Sequence, residues 1–184
     1  MNLKFVVNDY VLIWNLLFQA SISEKIHKLK QKLWINYKKE YNNTYRDKEL
    51  MLKDPKNFIP NDDSIYNIVL ETKEYEKIKK NTEKYRNQIL KVWDNHKKET
   101  LKIIKSVTRM NIKPYQVLVV TDELDMIDTT TVKDAKVNTI VLGKKVTSDT
   151  SIKLIVELVF QIIKKELRSY KKEYKDIVEA VIEL

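Results

Sequence analysis

The chain of 184 residues contains a single glycine, Gly143, and three prolines. Glycine supplies the backbone freedom needed for tight turns and for close approach to phosphate groups, so such a chain has few tight turns. The dinucleotide-binding loop of Rossmann proteins and the P-loop each need several glycines. The sequence therefore excludes both kinds of phosphate site and predicts a largely helical protein.

Composition excludes several further kinds of active site. No cysteine is present, so thiol catalysis, disulfides and cysteine-ligated zinc are excluded. The two histidines, His27 and His96, lie on separate predicted helices. The net charge of +9 is distributed unevenly, but no part of the chain forms a continuous basic tract. Lysine, asparagine and isoleucine are abundant, as is typical of an AT-rich genome. The lysine excess reflects either that coding bias or selection for an acidic partner.

Two strands are predicted in the second half of the chain. Residues 115–121 follow Pro114, are rich in β-branched side chains and carry apolar residues on both faces, as in a strand covered on both sides. Residues 137–142 form the second strand and end at Gly143, where we expect a turn with positive φ. The acidic segment 122–134 between them lacks the order and central glycine of a calcium loop, so we interpret it as a solvated loop.

An unusually apolar helix is predicted over residues 152–167, after a cluster of N-cap residues at 148–151. Apolar side chains surround most of its circumference, which predicts burial on most sides. One polar stripe at helical spacing interrupts them, formed by Lys153, Glu157, Gln161 and Lys164.

The order of strand, loop and buried helix with a central glutamate in residues 115–167 resembles the core of zincin metallopeptidases. In that family the helix carries the motif H-E-x-x-H, whose histidines bind zinc and whose glutamate is the general base. Here Glu157 matches the glutamate, but Val156 and Phe160 stand where the histidines would be. The resemblance implies a scaffold without zinc, in which Glu157 and Gln161 remain as vestigial-site candidates. Alternatively, Glu157 is a solvated partner of Lys153, four residues earlier.

The N-terminal region predicts a short strand at residues 3–7 and an apolar helix over 9–19 with Asp9 as its N-cap. Residues 10–18 are either a buried helix or part of a signal sequence, and they are too short to span a bilayer. A further helix over 21–41 carries one basic face. This face is either a candidate patch for binding nucleic acid or an anionic surface, or simply a solvated face. Its lysines are Lys25, Lys28, Lys32 and Lys39.

The middle of the chain predicts a loop at 54–64 and a long helix over 72–110. One face of this helix is charged, and we expect a break near Asp94 and Asn95, whose side chains compete for backbone hydrogen bonds. Residues 169–184 predict a continued or second helix.

Together these patterns predict an α+β protein, mainly helical, with one small sheet of about three short strands covered by helices. We expect one domain over residues 1–184, which could divide into a helical part, 1–112, and an α/β part, 113–184. We expect a cytoplasmic interaction or structural module with a protein partner of unknown kind and without enzyme activity, cofactor, metal or transmembrane segment. Binding of nucleic acid or an anionic surface through Lys25, Lys28, Lys32 and Lys39 is the alternative.

Overall fold

The computed structural model describes residues 2–109, 112–145 and 151–168. The helices in these ranges are α1 (Asp9–Phe18), α2 (Glu24–Asn36), α3 (Lys38–Tyr45), α4 (Lys48–Lys53), α5 (Tyr66–Leu70), α6 (Lys73–Thr108) and α7 (Ser151–Arg168). The strands are β1 (Leu3–Val6), β2 (Tyr115–Val119), β3 (Met126–Asp128) and β4 (Asn138–Gly143).

The four strands form one mixed sheet in the order β1-β2-β4-β3. β1 and β4 pair with β2 in parallel, and β3 pairs with β4 antiparallel. The mainly helical α+β fold is confirmed, with four strands rather than about three. The additional strand, β3, lies inside the segment that we interpreted as a solvated acidic loop. Asp125 makes the turn before β3 in the left-handed conformation (φ 45°), which aspartate tolerates better than most residues.

Helices cover both faces of the sheet, so the protein has two apolar cores. Side chains alternate along β2 and the residue after it: Leu118 and Val120 pack with α1, α2, α4 and α5 in one core. Val117 and Val119 pack with α6 and α7 in the other. Burial on both sides explains why β2 reads as a continuous apolar run.

Gly143 does not supply a turn with positive φ, so that prediction was wrong. It is the last residue of β4, and a Cβ atom built on it would lie 2.5 Å from Val120 Cγ2 and 2.6 Å from the carbonyl oxygen of Thr121. The only glycine in the sequence is therefore required by the close approach of β4 to the chain that leaves β2.

Two helix boundaries differ from the predictions. The helix predicted over 21–41 ends at Asn36, because Tyr37 (φ −139°, ψ 46°) separates α2 from α3. The helix α6 runs without interruption through Asp94 and Asn95, so the predicted break there was wrong. Both residues are exposed, and their side chains extend into solvent while the opposite face is held by the core.

The first and last described helices differ in how far they are buried. The apolar segment 10–18 lies in α1, and residues 11–17 are buried. Its N-cap is Asn8 rather than Asp9, since the Asn8 side chain accepts a hydrogen bond from the Val11 amide.

α7 is less enclosed than its sequence predicted, because Ile152 and Val156 are exposed. The helix predicted over 169–184 lies outside the described residues.

None of the helices formed by the described residues is long and apolar enough to cross a membrane.

Candidate functional site

The vestigial-site candidate Glu157 lies on α7 at the carboxyl end of β4. Its two carboxylate oxygens accept hydrogen bonds from Lys144 Nζ at 2.8 and 2.7 Å. The side chain of Glu157 is 39% exposed. The alternative partner, Lys153, was therefore the wrong lysine: the residue that pairs with Glu157 directly follows β4. Gln161 is half-buried one turn further along the helix.

The backbone of Lys144 is fixed by Tyr85 of α6. The tyrosine hydroxyl donates to the Lys144 carbonyl oxygen at 2.5 Å and accepts from the Lys144 amide at 3.0 Å. Burial raises the pKa of Tyr85 well above its usual range, so the hydroxyl stays protonated and able to donate. Tyr85 thus places the backbone of Lys144 where its ammonium group reaches Glu157, and this ion pair occupies the carboxylate that a general base would need free.

The positions that would carry zinc ligands in a zincin do not form a metal site. Val156 is 60% exposed and Phe160 is partly buried, and neither side chain can ligate a metal. His27 and His96 lie on α2 and α6. Within residues 2–109, 112–145 and 151–168, no group of three or more histidine, aspartate or glutamate side chains could hold a metal ion.

Part of the acidic segment after β2 forms a structural ion pair. Asp128 Oδ2 accepts a hydrogen bond from Lys48 Nζ of α4 at 2.8 Å. Burial raises the pKa of Asp128, but hydrogen bonds from Lys48 and Thr130 outweigh that effect and hold the pKa below its usual range. This pair joins the sheet edge at β3 to the helical layer.

We expect Asp128→Asn to lower the free energy of unfolding at pH 7 by about 1–2 kcal/mol, because it removes a charge-assisted hydrogen bond that is mostly buried. The folded pKa lies below that of the unfolded chain, so the pair stabilises the fold fully above about pH 4, and that stability declines as the pH falls through the folded pKa. Urea unfolding of both proteins from pH 7 to pH 3 should show the difference shrinking in acid. A difference that grows in acid would contradict the assignment.

The candidate basic patch does not form one continuous face. Lys25, Lys28 and Lys32 are exposed on α2, but Lys39 lies beyond the interruption at Tyr37, on α3. Two of the four lysines also have acidic neighbours. Lys28 Nζ lies 2.7 Å from Glu24 Oε1, and Lys32 Nζ lies 3.8 Å from Glu74 Oε1 at the start of α6. These pairs reduce the positive potential of the patch.

On another side of α2, a surface cavity of about 330 Å³ opens between α2 and α3. We call it the α2–α3 cavity, and its lining residues are His27, Lys30, Gln31, Trp34 and Tyr41. The residues from α2 recur at helical spacing, and that spacing could have revealed the shared face. The contribution of Tyr41 could not be foreseen, since it depends on the turn at Tyr37.

Among the residues that the structure describes, the most extended basic surface lies on α6. Because α6 is unbroken, lysines seven residues apart fall on nearly one line along it. With their helical neighbours they form a band that we call the α6 lysine ridge, made of Lys73, Lys77, Lys80, Lys84, Lys91, Lys98, Lys102 and Lys105. All eight side chains are exposed. The sequence showed this charged face, but only the continuous helix aligns its lysines.

Comparisons of the chain with protein-family models, with curated proteins and with solved structures found no match.

Proposed function

We propose that this protein is a non-catalytic interaction module that binds nucleic acid through the α6 lysine ridge. The observation that carries the proposal is a 36-residue helix with eight exposed lysines in one band. None of the ion pairs among the described residues involves any of the eight. Asn87 and Asn95 lie within the band and Gln88 lies at one edge of it. The exposed carboxylates of Glu76 and Asp94 lie at the opposite edge.

The shape of the ridge suits a linear polyanion. From Lys73 to Lys105 the helix rises about 48 Å at 1.5 Å per residue. Each lysine that neutralises a phosphate releases a condensed counterion, which favours binding without any reading of bases. Arginine, which dominates specific contacts to bases, is not part of the ridge, so we expect binding with little sequence preference.

The ridge is less suited to a membrane surface. Interfacial helices insert apolar side chains between lipid headgroups. The apolar face of α6 is occupied, since Tyr85, Ile89 and Trp93 are buried in the core beneath the sheet. The ridge itself offers no apolar side chain, because lysines, amides and the carboxylates at its edge make up this face of α6. Packing on that apolar face also keeps the lysines in a fixed line, which lowers the entropy cost of engaging several phosphates at once.

A pair of triple charge reversals tests the location of binding. One protein carries Lys84→Glu, Lys91→Glu and Lys98→Glu, and the other carries Lys25→Glu, Lys28→Glu and Lys32→Glu, so that both change the net charge equally. With a fluorescent duplex, we expect the logarithm of wild-type affinity to fall with the logarithm of salt concentration with a slope of about −4 or steeper. The ridge variant should lose most of this binding and the α2 variant little of it.

Equal losses in the two variants would contradict the ridge as the site, and a greater loss in the α2 variant would return the site to Lys25, Lys28 and Lys32. Binding to anionic vesicles that exceeds binding to duplex would contradict nucleic acid as the partner. Stoichiometric zinc in the purified protein, together with peptidase activity that Glu157→Gln abolishes, would contradict the proposal that the protein is non-catalytic.

A further inference from the structure

The α2–α3 cavity has a cation in its wall that no carboxylate balances. Lys30 is half-buried, and burial lowers the pKa of its ammonium group. Its Nζ donates a hydrogen bond to the carbonyl oxygen of Gln19, which is a neutral partner. Among the described residues Lys30 forms no ion pair. A partly desolvated ammonium with only a neutral partner gains most from an incoming anion.

The same cavity presents an aromatic surface beside that cation. The indole ring of Trp34 is 40% exposed, unlike those of Trp14 and Trp93, which are buried. Tyr41 holds the indole edge-on, with ring centroids 5.3 Å apart and an interplanar angle of 90°. The hydroxyl of Tyr41 is in turn tied to the carbonyl oxygen of Leu17. Lys38 Nζ also lies over the indole ring, 5.3 Å from its centroid. The ring is therefore held in place, and a flat heterocycle would stack on the part of it that this ammonium group leaves open.

The polar part of the lining is also positioned. His27 Nε2 lies 2.7 Å from the carbonyl oxygen of Ser21, and a carbonyl oxygen can only accept, so Nε2 carries the hydrogen. The Nδ1 atom of His27 and the side-chain amide of Gln31 are then the groups on this wall that can meet the polar edge of a ligand.

We propose that the α2–α3 cavity binds a mononucleotide, with its phosphate on Lys30 and its base against Trp34. About 330 Å³ lies at the lower end of the range for small-molecule sites, which suits one nucleotide rather than a polymer. The cavity lies apart from the α6 lysine ridge, since Lys32, which faces Glu74 of α6, projects from another side of α2. This site goes beyond the proposed binding of nucleic acid and does not depend on it.

Isothermal titration of the full chain tests the proposal with adenosine 5′-monophosphate, adenosine and inorganic phosphate as separate ligands. We expect the nucleotide to bind saturably and more tightly than either of its halves, because only the nucleotide engages both Lys30 and Trp34. Lys30→Met and Trp34→Leu should each weaken the nucleotide at least about tenfold. The matched control Lys25→Met, on the exposed lysine face of the same helix, should leave the affinity unchanged. Circular dichroism verifies that each variant is folded, and either cavity variant alone decides the test if the other fails to fold.

Three results would overturn the site. One is the absence of saturable nucleotide binding up to about 10 mM, well above the millimolar range of weak sites. Another is an affinity that Lys30→Met or Trp34→Leu leaves unchanged. The third is nucleotide binding that disappears in the combined Lys84→Glu, Lys91→Glu and Lys98→Glu protein, which would place the nucleotide on the α6 lysine ridge.

Discussion

Replacing Trp93 by alanine should lower the free energy of unfolding by about 3–5 kcal/mol, the largest effect we expect from a single substitution. Trp93 is 1% exposed and lies in the core that joins α6 to β2, β4 and α7. Alanine would leave a cavity between these four elements, and the surrounding side chains cannot move far enough to fill it. Urea unfolding followed by far-ultraviolet circular dichroism measures the change.

Trp34→Ala is the matched control, because it makes the same substitution where the ring is 40% exposed, and we expect a much smaller loss there. Trp93→Phe separates volume from polarity. The indole Nε1 of Trp93 has no hydrogen-bond partner among the described residues, so phenylalanine removes that buried donor and part of the volume. Its cost should therefore be well below that of alanine. Equal losses of unfolding free energy for Trp93→Ala and Trp34→Ala would show that the core around α6 and α7 does not stabilise the fold as we expect.

The sequence was sufficient to predict elements whose own residues decide their conformation. The β-branched run at 115–121, the apolar helix beginning near residue 152 and the long helix after Thr72 all appear where periodicity places them. The start of the long helix depends on such a local contact, since the side chain of Thr72 accepts a hydrogen bond from the Tyr75 amide three residues later.

Elements decided by distant contacts were not predictable. α2 ends at Tyr37 although no proline or glycine there marks a helix end in the sequence. β3 is a strand because it pairs with β4. The partner of Glu157 was misjudged for the same reason. Lys153 is its neighbour on the helix, but Lys144 is brought closer by the end of β4 and by the hydroxyl of Tyr85.

The binding surfaces fall between these two cases. The sequence alone shows lysines at helical spacing on both α2 and α6. Which of them have acidic partners depends on packing between helices, as the contact between Lys32 and Glu74 illustrates. The ammonium group of Lys30 donates to the carbonyl oxygen of Gln19, and Lys30 shares the cavity wall with Tyr41. Both partners lie outside its own helix, so the sequence of α2 could not reveal them.

Replacing Gly143 by alanine should lower the free energy of unfolding by about 3 kcal/mol, at the upper end of the cost of overpacking a core. A single methyl group would approach the carbonyl oxygen of Thr121 to 2.6 Å, and a backbone atom cannot rotate away as a side chain can. β4 would have to shift relative to β2, and Lys144, which follows Gly143, would move with it. Thermal unfolding should show a lower midpoint. The control Asn138→Ala, at the start of β4, should change it much less, because it removes only an exposed hydrogen bond of 3.3 Å to the Pro114 carbonyl oxygen.

A double-mutant cycle with Val120→Ala identifies the source of the strain, since the Cγ2 atom of Val120 would lie 2.5 Å from the added methyl group. Val120→Ala removes that atom but leaves the carbonyl oxygen of Thr121 in place, so in the Gly143→Ala background it should recover only part of the lost stability. Full recovery would mean that the side chain alone requires the glycine. An unchanged midpoint in Gly143→Ala would mean that β4 does not approach β2 as closely as this packing requires, and the position of Lys144 over Glu157 would then lose its support.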